Sequence, residues 1–163
     1  MNLRAGRLRP AAFAALLALV PAAREASGQS AIVLSNTRAL EFGRFAAGAG
    51  GAVTIAAGSG ARSGSGGVLL LTSPTAGQAS FSVAKTAGAP SQAISISLPV
   101  DHSVTLSGPG GQMAVTSFAA APAAIAFVPD AGMTLSVGAT LVVPNRQPGG
   151  SYAGAFNITV NYE

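Results

Sequence analysis

MTLSVGATLVV, residues Met133–Val143, alternates along its length, with Val142 the one exception. Met133, Leu135, Val137, Ala139, Leu141 and Val143 fall on one side of an extended chain, while Thr134, Ser136, Gly138 and Thr140 fall on the other. A period of two residues is that of a β-strand, and one apolar face beside one polar face is the pattern of antiparallel sheets packed face to face. The segment AISISL, residues 93–98, repeats it: Ile94, Ile96 and Leu98 point one way, Ser95 and Ser97 the other. Further strands are predicted over residues 31–35, 40–45, 52–56, 68–72, 79–85, 103–106, 113–118 and 151–162, with a weaker one over 123–128 between Pro122 and Pro129. No segment after residue 28 sustains the three-and-four spacing of an amphipathic helix.

Turn chemistry agrees with this reading. SGPGGQ, residues 107–112, separates two short strands, and PNRQPGG, residues 144–150, joins the last two long ones. The run AGSGARSGSGG, residues 57–67, reads as a mobile surface loop. Many short strands punctuated by Gly and Pro predict an all-β, immunoglobulin-like antiparallel β-sandwich.

The first 28 residues have a different character. Arg4, Arg7 and Arg9 precede a ten-residue apolar run over 11–20 and a small-residue end at Ala26, Ser27 and Gly28. This is the layout of a secretory signal peptide cleaved after Gly28. The apolar run is about half of the ~20 residues that cross a bilayer, so no transmembrane anchor is expected after cleavage. With no cysteine in the chain, lipidation at the cleavage site is excluded. A single exported domain over residues 29–163 follows.

Removing the signal also removes most of the basic character. Arg38, Arg44, Arg62, Lys85 and Arg146 remain against Glu41, Asp101, Asp130 and Glu163, five cations against four anions. No basic patch for nucleic acid is left. The absence of cysteine excludes disulfides and thiol chemistry, so the fold must be held by packing.

Candidate chemistry is sparse. Asp101, His102 and Ser103 carry the residue types of a catalytic triad, but three consecutive side chains diverge, whereas a working triad converges from separate elements. Four scattered acids and one histidine offer neither a carboxylate pair nor a metal cage, and neither phosphate-loop pattern fits residues 57–67. The expectation is a non-enzymatic protein with no cofactor and no metal.

The closing segment, SYAGAFNITVNYE, places Tyr152, Phe156, Ile158, Val160 and Tyr162 on one face. LEFGRFAAGAGGAVTI (residues 40–55), GGVLLL (66–71) and the stretch from Leu135 to the end resemble the bacterial exported domain family DUF4402, which implies a secreted β-sandwich and no defined activity. The last strand is also similar to that of chaperone–usher pilus subunits, including the spore-coat-U-like group. There a penultimate tyrosine, alternating apolar residues and a glycine fourteen from the end recur; Tyr162, Phe156, Ile158, Val160 and Gly150 occupy those places. The resemblance implies a sandwich short of one strand, a pairing edge at Gly150, Tyr152, Phe156, Ile158, Val160 and Tyr162, and an N-terminal arm at Ala31, Ile32, Val33 and Leu34. Its implied partners are further copies of the chain and a periplasmic chaperone. The expected function is a pilus-like or cell-surface subunit assembled by strand complementation. The alternative is a self-complete secreted module that binds a glycan, a surface or a protein.

Overall fold

The computed structural model describes residues 32–163. The signal peptide expected over residues 1–28 and the candidate arm residue Ala31 lie outside the described residues. The strands in chain order are β1 (Ile32–Arg38), β2 (Phe45–Ala46), β3 (Gly51–Ile55), β4 (Arg62–Gly66), β5 (Leu69–Leu70), β6 (Ala79–Lys85), β7 (Ile94–Ser97), β8 (Val104–Gly108), β9 (Gly111–Ala121), β10 (Met133–Val143) and β11 (Thr159–Tyr162). All pairings are antiparallel and no described residue is helical. The chain is an all-β, sandwich-like fold.

β10 organises it. One of its edges pairs with β9 over residues 136–141. The other edge is shared: β6 takes Met133–Val137, and β3 takes Ala139–Val143. The partner changes at Gly138, where the backbones come too close for a side chain. A Cβ there would collide with the carbonyl oxygen of Ile55 and would sit 2.5 Å from the nitrogen of Ala57. Opposite the switch, β9 carries a bulge between Thr116 and Ala119, with Ser117 at φ 52°. Bulges bend a strand and increase its twist. The result is one curled seven-stranded sheet with β9–β8 on one side of β10 and β6–β1 followed by β3–β4 on the other.

The curl splits the core at the same place. Leu135 and Val137 of β10 join Ala79, Phe81, Val83, Ile94, Ile125 and Val128 in one buried cluster. Ala139, Leu141 and Val143 join Phe42, Val53, Ile55, Met113 and Val115 in the other. The second layer is made of two separate ribbons, β7–β11 and β2–β5. Leu40 and Phe118 are the partly buried residues that touch both clusters.

Several sequence expectations change: the strands over 40–45 and 68–72 shrink to the two-residue β2 and β5, and the one over 123–128 keeps a single bridge at Ile125. Half of the Gly/Ser run 57–67 is strand: β4 pairs with β3 through five residue pairs, from Gly51↔Gly66 to Ile55↔Arg62. Backbone hydrogen bonds carry this pairing and need no side-chain alternation. Glycine is required at the end of β4, where Gly66 has φ +67° and a Cβ would lie 2.7 Å from the Gly50 carbonyl oxygen. The predicted strand over 151–162 contracts to β11, with one isolated bridge from Ala153 to Ser107. Its alternation stands, but most of its length has no strand beside it.

The partner switch gives a direct test. Gly138→Ala must push apart β3 and β10, and overpacking of this kind costs about 1–3 kcal/mol. A urea unfolding midpoint unchanged by the substitution would show that the close approach is not required.

Candidate functional site

Leu40, Phe42 and Phe45 sit on an irregular segment that runs from the end of β1 into β2. On the far side of the second layer, residues 147–156 run towards β11. Between these two walls lies a channel of two neighbouring cavities that share Leu40, Phe42, Leu106 and Gly154 in their linings. The larger, of about 860 Å³, is bounded by residues 40–47 and 147–154 over a floor of Leu106, Met113 and Leu141. The smaller, of about 300 Å³, is bounded by Asn36, Ala39, Leu40 and Phe42 and by Gly154, Ala155 and Phe156, over Phe81, Val104, Leu106, Val115 and Phe118.

The wall 154–158 has an unusual backbone. Ala153 exchanges hydrogen bonds with Ser107 at 2.8 and 3.0 Å, and pairing resumes only at Thr159↔Ser97. Among the described residues, none of 154–158 takes part in a hydrogen bond. Five extended residues span about 16 Å. That length of edge presents unpaired N–H and C=O groups next to an apolar floor. Such an edge is a template for a further strand.

The side chains of this segment divide as the alternation predicts. Tyr152, Phe156, Ile158, Val160 and Tyr162 are all half-buried, and the intervening residues are exposed. Phe156, Ile158, Val160 and Tyr162 lie on the cluster around Leu135, and Tyr152 on the one around Leu141. None reaches the burial of the β10 residues opposite. Phe156 stands edge-on to Phe81, with centroids 6.4 Å apart, and tilts against Phe118 at 5.3 Å. This is favourable aromatic geometry with one side still open.

Gly150 and Tyr152 have local tasks. Gly150 adopts φ +153°, and a Cβ on it would lie 2.9 Å from Pro109, so the turn itself requires glycine. The Tyr152 hydroxyl donates to the Pro148 carbonyl at 2.7 Å and accepts from the Gln147 side-chain amide at 2.9 Å and the Gly110 N–H at 3.2 Å. It clasps the 147–150 turn to the β8–β9 hairpin. Tyr162 differs: its hydroxyl is buried and has no hydrogen-bond partner among the described residues.

Ile32, Val33 and Leu34 form β1, in register with β6 through Ile32↔Lys85, Val33↔Ala84 and Leu34↔Val83. In this structure they are an edge strand of their own sheet. Ile32 and Leu34 pack on the core, and Val33 is 52% exposed.

The wall 40–47 is held by two arginines. Arg38 donates to the carbonyls of Thr75 (2.9 Å) and Ala76 (3.3 Å), beside the Glu41–Gly77 bridge. Arg62 donates to the carbonyls of Phe42 (3.1 Å), Arg44 (3.4 Å) and Leu71. Sequence reasoning passed over Arg62. Its signal was a lone cation in a Gly/Ser run with no acid nearby.

Asp101, His102 and Ser103 make no hydrogen bond to one another. The Asp101 carboxylate accepts the N–H of Ser117 at 2.6 Å and so caps the β9 bulge. The His102 N–H donates to Val115, and the Ser103 hydroxyl to Val100. Among the described residues, no three His, Asp or Glu side chains are grouped as metal ligands would be.

The two tyrosines predict opposite outcomes. Tyr152→Phe leaves the Gly110 N–H and the Gln147 amide without an acceptor and the Pro148 carbonyl without a donor, and should cost about 1–3 kcal/mol. Tyr162→Phe removes a hydroxyl with no partner and should be neutral or stabilising. Chemical denaturation of the two variants would reverse this assignment if Tyr162→Phe were the more damaging.

A family model described as "Domain of unknown function (DUF4402)" matches residues 32–162, and the chain belongs to that family. No curated protein and no solved structure matches it. The likeness to chaperone–usher subunits rests on the C-terminal residues alone and draws nothing from the family match.

Proposed function

We propose that this DUF4402 protein is a non-enzymatic, exported structural subunit of a pilus-like or cell-surface assembly, completed by a strand from another copy that enters the channel between residues 40–47 and 150–158. The observation that carries this reading is the edge at 154–158, which has no hydrogen-bond partner among the described residues and lies beside an open apolar floor. A peptide added there recovers two terms at once. Its backbone pairs with the free edge, the mode of recognition called strand addition. Its apolar side chains cover Leu40, Leu106, Phe118 and Phe156, each half-buried, and completing the burial of each contributes about 1 kcal/mol. A chaperone in the exporting compartment would guard the same edge before assembly.

The second reading, a self-complete secreted module that binds a glycan, a surface or a protein, draws support from β1. Ile32, Val33 and Leu34 are committed to β6, so donation of that segment would strip an edge from its own sheet.

Asn157→Pro separates the two readings. Asn157 is exposed and makes no hydrogen bond, so the monomer should keep its fold, while proline removes a donor from the edge. Light scattering on residues 29–163 should show oligomers that grow with concentration and are lost in the variant. A wild-type chain that stays monomeric at every concentration contradicts the assembly reading.

A further inference from the structure

We propose that Arg62 is the positioning residue of the channel: reaching from the curled sheet to the detached β2–β5 ribbon, it sets where the wall 40–47 stands and hence whether the channel is open to a strand. This deepens the assembly reading and rests on it.

β2 and β5 are two residues each and pair only through Phe45↔Leu70 and Ala46↔Leu69. Two residue pairs are a weak tie for an element that forms one side of a cavity. Packing adds Phe42, 7% exposed, and the half-buried Phe45 and Leu70. The Glu41–Gly77 bridge and the Gly50 N–H bond to the Ala47 carbonyl hold the two ends of the wall, and the link at its middle is Arg62, the first residue of β4, which pairs with Ile55 in β3. Its guanidinium reaches the carbonyls of Phe42 and Arg44 on the strand side of the wall, and that of Leu71 just past β5. Three oxygens, two from residues before β2 and one from the residue after β5, thus converge on one planar group. Only arginine presents several donors in a fixed fork, and a lysine ammonium cannot span the same set with one geometry.

The site is shaped around this group. Gly43, between two of the accepting residues, has φ +72°, and a Cβ on it would run into the Arg62 guanidinium and lie 2.7 Å from the Ser73 hydroxyl. Glycine here provides both the left-handed turn and the space for the arginine. Among the described residues the single ion pair is Lys85–Asp130, so no carboxylate neutralises Arg62. Carbonyl dipoles are its partners, and all of them lie on the chain segments that flank the ribbon.

Amide hydrogen exchange on Arg62→Gln and Arg62→Lys, with oligomer formation by residues 29–163 measured beside it, tests this role. The reporter amides are Leu71, which donates to Arg44, and Glu41 and Gly77, which donate to each other's carbonyls. Val53 and Leu141 in the sheet are the controls. The expected result is exchange about tenfold faster at the reporters in Arg62→Gln, equivalent to the loss of one net hydrogen bond, with the controls unchanged. Arg62→Lys should fall in between, and oligomers should weaken in the same order. Unchanged reporter exchange overturns the proposal, as does equal acceleration at the controls. Faster reporter exchange with undiminished oligomers overturns the positioning role. If the wild-type chain forms no oligomers, the assembly reading has failed, and the exchange result alone decides whether Arg62 pins the wall.

Discussion

A β-strand has two edges, and every buried N–H and C=O on them needs a partner; in this protein β10 meets that demand by changing partners halfway along. β6 covers the first half of one edge and β3 the second, with Gly138 at the exchange because no side chain fits there. The opposite edge stays with β9, which bends at its bulge to follow. From this follow the curl of the sheet and the division of the core into two clusters. A second layer built as two ribbons covers one cluster each. The channel lies between the β2 side of one ribbon and the segment that leads into β11 of the other.

The same demand is unmet at residues 154–158. Buried backbone groups in folded proteins are almost always paired, and a run of five without partners is found where water or another chain supplies them. The floor beside this edge is apolar, with Leu40, Leu106, Phe118 and Phe156 open on one side. Water satisfies the backbone but not the floor. A strand satisfies both, which is why the two features together carry more than either alone.

What was legible in the sequence was the set of faces. β6 and β10 stand at the predicted bounds, since alternation over seven and eleven residues leaves little freedom. The half-burial of Phe156, Ile158, Val160 and Tyr162 on one side follows from the same period. Pairing was less legible, because hydrogen bonds between backbones leave no trace in side-chain pattern. Hence β4, written in Gly and Ser, read as a loop, and residues 151–158 read as a paired strand. The glycine at 150 shows the converse: a residue singled out by family likeness has a sufficient cause in its own turn, at φ +153° against Pro109. Arg62 was hidden because its partners are carbonyls of residues 42, 44 and 71, which no sequence motif marks.

Backbone amide exchange at Ala155, Phe156, Asn157 and Ile158 in the dilute monomer and in the assembled state tests the central claim most directly. An unpaired edge exchanges rapidly in the monomer, at rates set by solvent, and gains strong protection once a strand occupies the channel. Protection of these amides already present in the monomer, or none gained on assembly, would contradict it.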